Sequence, residues 1–289
     1  MDGILIVDKE QNWTSHDVVA KLRGILGIKK IGHTGTLDPM ATGVLPICIG
    51  KATKLCEYLT NADKVYRCTI KFGKATTTQD AWGEVQKISL KRPDLEMFRN
   101  VLMNFKGEQK QIPPMYSAIK IKGQKLYQLA QQGKIIERPS RNITFYDFKI
   151  LSFTQDVAEF ECHCSKGTYM RTLCHDIGEI IGSYAYMSDL KRISSGPFHI
   201  QNAITISEFS KLDIEFMKKY FLPMDFAIND LFKLELKEED YHRIIHGVKI
   251  YIPSLNCDDQ KLIRLYYLNK FIGVGIFENK FLKIKKLLI

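Results

Sequence analysis

Residues 65–73 alternate. Tyr66, Cys68, Ile70 and Phe72 fall on one side of an extended chain, and Arg67, Thr69 and Lys71 on the other. A period of two describes a strand with one face in a core. Further apolar strands are predicted at 3–9, 44–49, 143–153 and 157–164. Helices are predicted from a Thr14–Ser15 cap through Leu26, at 94–105 and at 171–181. Their apolar stripes are Val18, Val19, Leu22, Ile25 and Leu26; Leu95, Phe98, Val101 and Leu102; and Leu173, Ile177, Ile180 and Ile181. The helices stand singly among the strands, without the strict alternation that builds a parallel sheet. The pattern therefore predicts an α+β fold on a mixed, largely antiparallel sheet.

Two segments depart from this pattern. Residues 111–141 are basic and turn-rich, with Pro113-Pro114, Gly123 and Gly133, and read as a long surface excursion holding one short helix. After Pro223 the composition resets, and 233–289 reads as a small β-rich module with a helix near 238–246. The expected organisation is one domain over 1–230, with the excursion inserted in it, and a second over 233–289.

Composition narrows the classes of function. Lys and Arg number 42 against 32 Asp and Glu, a net charge of +10, which favours a polyanionic partner such as nucleic acid. A generally basic proteome would give the same excess. Seven cysteines without a regular framework, mostly in apolar stretches, read as buried free thiols of a reducing cytoplasm. No secretory leader is apparent at Met1-Asp2-Gly3-Ile4, and no stretch of membrane-spanning length lacks charge. A soluble, cytoplasmic monomer without a membrane partner is expected. Gly50-Lys51-Ala52 and Gly73-Lys74-Ala75 lack the remaining residues of a phosphate loop, and no dinucleotide fingerprint follows a strand. Cys162-His163-Cys164, with Cys174 and His175, lacks the paired spacing of structural zinc. The expectation is no metal and no cofactor.

One stretch stands apart: Gly32-His33-Thr34-Gly35-Thr36-Leu37-Asp38-Pro39-Met40-Ala41-Thr42-Gly43. Its glycines let the backbone approach a ligand closely, and it sets a single carboxylate, Asp38, in a tight turn before Pro39. An isolated Asp-Pro is usually only a turn. A Gly- and Thr-rich loop with one acid between two apolar strands makes Asp38 a candidate for chemistry as well.

Residues 32–54, GHTGTLDPMATGVLPICIGKATK, closely resemble the signature of TruB-type tRNA pseudouridine synthases. The resemblance continues through Lys64-Val65-Tyr66-Arg67, 78–83 (TQDAWG), 113–122 (PPMYSAIKIK), 126–133, 164–178 (CSKGTYMRTLCHDIG) and 190–198 (LKRISSGPF). These matches keep the family's order over most of residues 3–200. One departure is clear: where the family has Lys-Pro-x-Gly-x-Thr-Ser, this chain has Lys9-Glu10-Gln11-Asn12-Trp13-Thr14-Ser15. The C-terminal segment, with Gly247, 263–266 and 271–275, resembles a divergent RNA-binding PUA domain.

The resemblance implies a pseudouridine synthase fold, 1–230 as catalytic domain with 111–141 as an RNA-clasping thumb, and a small β-rich PUA-like domain at 233–289. It implies isomerisation of a uridine in the tRNA T arm, by base flipping and without a cofactor. Asp38 takes the role of the catalytic carboxylate, Arg171 of its charge partner and Tyr66 of the aromatic stacked on the target base. From the residues alone, Arg171 reads equally as a phosphate contact or helix-surface charge, and Tyr66 as a core aromatic. His33 corresponds to a residue near the flipped-out base, although a loop histidine bonded to backbone reads the same way. Tyr169, Leu190, Lys9, Lys120 and Arg141 are expected to contact the substrate, with Lys122, Lys125 and Arg138 also available to phosphates. The expected partner is tRNA, through its T-arm stem-loop and, by the C-terminal module, its acceptor stem. Two other classes share features with this reading: a non-catalytic tRNA-binding or folding protein, and a uracil-modifying enzyme such as a C5 methyltransferase with Cys48 or Cys174 as nucleophile.

Overall fold

The computed structural model describes residues 1–117, 119–121, 123–253, 255 and 257–289, with only the backbone at Lys125. Lys122 lies outside the described residues. The chain forms two compact units, one of residues 1–38, 44–61 and 196–289, the other of 39–43 and 62–195.

In the second unit, five strands run antiparallel to their neighbours in the order Ala185–Ser195, Lys64–Phe72, Val157–Cys164, Arg141–Phe153 and Gly107–Gln111. Thr42 and Gly43 add in parallel beside Lys191 and Arg192, so the sheet is mixed but largely antiparallel. The predicted alternation holds: Tyr66, Cys68, Ile70 and Phe72 are buried, while Arg67 and Lys71 face water. Stacked and edge-on rings of Phe72, Phe98, Phe153 and Phe160 fill the space under the helix Leu95–Asn104, whose first turn is capped by the Asp94 carboxylate on the Met97 amide.

The helix Met170–Ile181 buries Leu173, Ile177 and Ile181. Ile180, expected to face inward, is 63% exposed. It lies at the margin of the stripe, beside the buried Ile177 and Ile181. Gly178 brings this helix against the next strand; a Cβ there would collide with the Ala185 amide nitrogen and crowd the Tyr184 carbonyl carbon. The excursion is less superficial than its composition suggests. Pro113, Pro114, Ser117, Leu126 and Leu129 are buried, and the predicted short helix is Leu126–Gln131.

In the first unit, the strand Gly3–Lys9 pairs with Phe221–Leu222. The strand Thr42–Ile49 contributes residues 44–49, and Ile31–His33, expected to be loop, pairs along it from Ile31 with Ile49 to His33 with Ile47. The helix Ser15–Leu26 begins with a full capping box between Thr14 and Asp17 and buries Val18, Val19 and Leu22. The segment from Phe232 onward forms a five-stranded sheet in the order Phe232–Glu235, Lys261–Tyr267, Lys270–Glu278, Phe281–Leu287 and Ile250–Tyr251. It has a core of its own around Ile244, Ile263, Leu265 and Leu282. Val274 and Leu288 join a different cluster, with Ile4, Ile6, Val44, Cys48 and Leu55. Among the described residues, no helix is long and apolar enough to cross a membrane.

Candidate active site

Asp38 closes the loop that follows Ile31–His33, and the loop is pinned from both ends. Thr34 donates its amide to the Pro46 carbonyl oxygen at 3.1 Å. The Leu37 amide donates to the Ser15 hydroxyl at 2.9 Å, and that hydroxyl lies within 3.3 Å of the Leu37 carbonyl oxygen. Ser15, the first residue of its helix, and Leu37 are both buried. On the far side of Asp38, Met40 and Ala41 are buried as well. Gly43 adopts φ +101, and any Cβ there would run into the backbone of Arg192. Asp38 is thus a partly exposed carboxylate between buried, fixed neighbours. The role of Ser15 was not foreseen beyond helix capping; its partner is 22 residues away.

His33 is half-buried with its ring edge-on to His16, centroids 5.3 Å apart. Lys9 is fully buried, and its ammonium donates to the carbonyl oxygens of Glu10 (3.0 Å) and Trp13 (2.7 Å). It therefore braces the turn that lacks the family's proline and glycine. Asn12 stands in the left-handed region at φ 69, where asparagine is among the few residues that substitute for glycine. Glu10 ties the turn to Ser207, whose hydroxyl donates to its carboxylate at 2.6 Å. Asp38, His33 and Lys9 all belong to the first unit.

Arg171, Tyr169, Tyr66 and Leu190 belong to the second unit. Arg171 is buried in the first turn of its helix. Its Nη2 donates to the Tyr116 carbonyl oxygen at 2.8 Å, its Nη1 to that of Thr78 at 3.4 Å, and Asp80 Oδ2 lies 3.7 Å from Nη1. Asp80 and Tyr116 stand inside the motifs that carried the family resemblance, yet neither was singled out as a partner of Arg171. Tyr169 precedes the helix, and its peptide is clamped by the buried Gln111, which donates to its carbonyl oxygen (3.0 Å) and accepts from its amide (2.8 Å). Gln111 is also the register partner of Arg141, so the exposed Arg141 starts its strand beside that clamp. Lys120 is exposed on the short hairpin Lys120–Ile121 with Gln124–Lys125, and Arg138 is half-buried.

Tyr66 and Leu190 are buried on adjacent strands, Tyr66 opposite both Cys162 and Arg192, Leu190 opposite Cys68. Lys64 and Arg192 are buried on these two strands. Lys64 donates to the Ala62 carbonyl oxygen, and burial, followed by repulsion from Arg192, pulls its ammonium down to about 8. Arg192 is buried in the register row that also holds Tyr66 and Gly43. The thiols of Cys68 and Cys174 face each other at 3.5 Å, fully buried, and burial pushes the Cys68 thiol up. That is the reverse of an activated nucleophile.

Residues 23–170 match the family model described as TruB family pseudouridylate synthase (N terminal domain), and 171–229 match that of the tRNA pseudouridylate synthase B C-terminal domain. The chain is similar to proteins named tRNA pseudouridine synthase B. The one from Alkaliphilus oremlandii is 43% identical over 100% of this chain and 99% of that protein. The one from Clostridium novyi is 44% identical over 100% of both. Among solved structures, a chain in the crystal structure of a Cbf5-Nop10-Gar1 complex superposes with a TM-score of 0.78 at 25% identity, covering 99% of this chain and 85% of that one.

Proposed function

Since the chain belongs to the TruB family of pseudouridylate synthases, we propose that it isomerises a uridine in the T arm of tRNA to pseudouridine with Asp38 as the reacting carboxylate. The class of activity is that of its relatives, a tRNA pseudouridine synthase, and so an isomerase. The observation that carries the assignment is the fixation of Asp38 between Leu37, held by Ser15, and Gly43, locked against Arg192. A carboxylate so placed needs little reorganisation before it reacts.

The isomerisation breaks the bond from C1′ to N1 and forms one from C1′ to C5; C5 loses a proton and N1 gains one. An ionised Asp38 serves this sequence by attacking the base or the sugar, or by removing a sugar proton, and leaves at the end. Arg171 supplies the positive charge that keeps the acid ionised. Tyr66 stacks on the base, His33 lies near the space it vacates, and Tyr169 and Leu190 wall the pocket. Lys9 acts through the turn it braces. Lys120 and Arg141 contact phosphates, and the module at 233–289 reaches toward the acceptor stem. The protein works as a cytoplasmic monomer.

The test is single-turnover tritium release from C5-labelled T-arm RNA at saturating enzyme. Asp38→Asn and Asp38→Ala are expected to release none above background while circular dichroism and RNA affinity stay near wild type. Asn preserves the turn before Pro39, so substantial release by both folded variants would refute the role of Asp38.

A further inference from the structure

Trp82 is 55% exposed, an unusual position for the largest apolar side chain. The chain has only one other tryptophan, Trp13, which is half-buried. Nothing in the chemistry proposed above uses Trp82. Among the described residues, no other ring and no cation contacts its indole.

The turn that presents it is rigid. One oxygen of the buried Asp80 carboxylate accepts from the Thr78 hydroxyl and, at 3.0 Å, from the Trp82 amide. The Thr76 hydroxyl donates to the Asp80 carbonyl oxygen at 2.7 Å, and the Met187 amide to that of Gln79 at 3.0 Å. The other oxygen of the same carboxylate faces Arg171 Nη1 at 3.7 Å. Only the width of one carboxylate therefore separates the Trp82 backbone from the guanidinium assigned to the reaction.

The surroundings are basic. Trp82 tips the hairpin of Lys74–Thr76 and Val85–Ile88, and Lys74, Lys87 and Lys91 are exposed along it. Two exposed acids lie nearby, Glu84 and Glu179, the latter paired with Lys87 at 3.2 Å, and the charge of Asp80 is turned toward Arg171. An exposed flat ring on a fixed turn, with the exposed Lys74 and Lys91 near it, fits a nucleobase with its phosphates. Aromatic faces take up unpaired bases whatever their sequence. An apolar protein partner would gain nothing from the lysines.

We propose that Trp82 is an RNA-stacking residue, receiving an unpaired base of the substrate next to the site where the target uridine reacts. This rests on the reading of the chain as a tRNA pseudouridine synthase. Two measurements on the full-length protein test it, with a T-arm stem-loop RNA as ligand. In a Trp13→Phe background, where Trp82 is the sole indole, saturating RNA should quench its fluorescence and shield it from acrylamide. Trp82→Ala should raise the Kd about ten-fold, the loss expected for one stacked base, while Trp82→Phe, which keeps an aromatic face, should recover most of it. Thermal melts of the variants exclude misfolding. Unchanged Trp82 emission and wild-type affinity in the Ala variant would overturn the stacking role, and the proposed function would stand if the wild-type protein still forms pseudouridine. Wild-type protein that neither binds nor converts the RNA would overturn both.

Discussion

Arg171 is held by groups far from it in sequence: Thr78 lies 93 residues away and Tyr116 lies 55 away. A guanidinium meets both carbonyl oxygens and the Asp80 carboxylate from one plane, which an ammonium cannot do. Arg171→Lys would leave at least one buried acceptor without a donor, costing about 1–3 kcal/mol. Single-turnover pseudouridine formation is expected to fall by at least about ten-fold for that reason. A rate near wild type in a folded Lys variant would reduce Arg171 to a source of bulk charge. At this scale the sequence was legible where chemistry shows in composition. Asp38 stood out as the one acid in a Gly- and Thr-rich loop. Asp80 and Ser15 did not, because their importance depends on which distant backbone comes to meet them. The turn at Glu10–Trp13 lay between these cases. Its departure from the family pattern was visible, but that Asn12 takes the left-handed angle and that the Lys9 ammonium braces the turn were not.

The longer elements were readable from the sequence pattern. Lys64–Phe72, Val157–Cys164 and the helix Ser15–Leu26 lie where alternation or a helical stripe put them, and Gly3–Lys9 where a short apolar run did. Strands of two or three residues, such as Ile31–His33 and Phe221–Leu222, carry no period. They exist because a neighbouring strand offers an unpaired edge. Helix packing has the same dependence on context, which two glycines can expose. Gly178 sits in Met170–Ile181 with the Tyr184–Ala185 backbone against it, whereas Gly24, in Ser15–Leu26, has nothing within 4 Å of its missing Cβ. Alanine improves helix propensity at either place by roughly 0.5–1 kcal/mol. At Gly24 that gain should appear intact as a higher urea midpoint. At Gly178 the overpacking, about 1–3 kcal/mol, should outweigh it and lower the midpoint. Midpoints moving in the same direction would show that the close approach of helix and strand is not a constraint.

At the scale of the molecule, the expected two-part division of the chain meets a sheet that has its own core and also lends side chains to another. Val274 and Leu288, with Leu262 and Phe271 beside them, pack in the cluster of Ile4, Ile6 and Leu55. Truncation after residue 231 would uncover that cluster. The truncated protein is expected to melt well below the full chain or to aggregate, and a truncated protein with unchanged melting temperature would show that 233–289 folds independently of it. Substitutions on the surface of that segment are therefore the sounder way to probe its part in tRNA binding. The same arrangement has a consequence for biosynthesis. The strand Gly3–Lys9 lies beside Thr42–Ile49 on one edge, yet Leu222 on its other edge, and Val274 and Leu288, which join its core, are made long after it. Residues 62–195 can meanwhile assemble most of their own sheet. Until Phe221–Leu222 emerge, the nascent chain would thus carry an Ile-Leu-Ile-Val strand with one open edge, an exposed edge of the kind that chaperones shield.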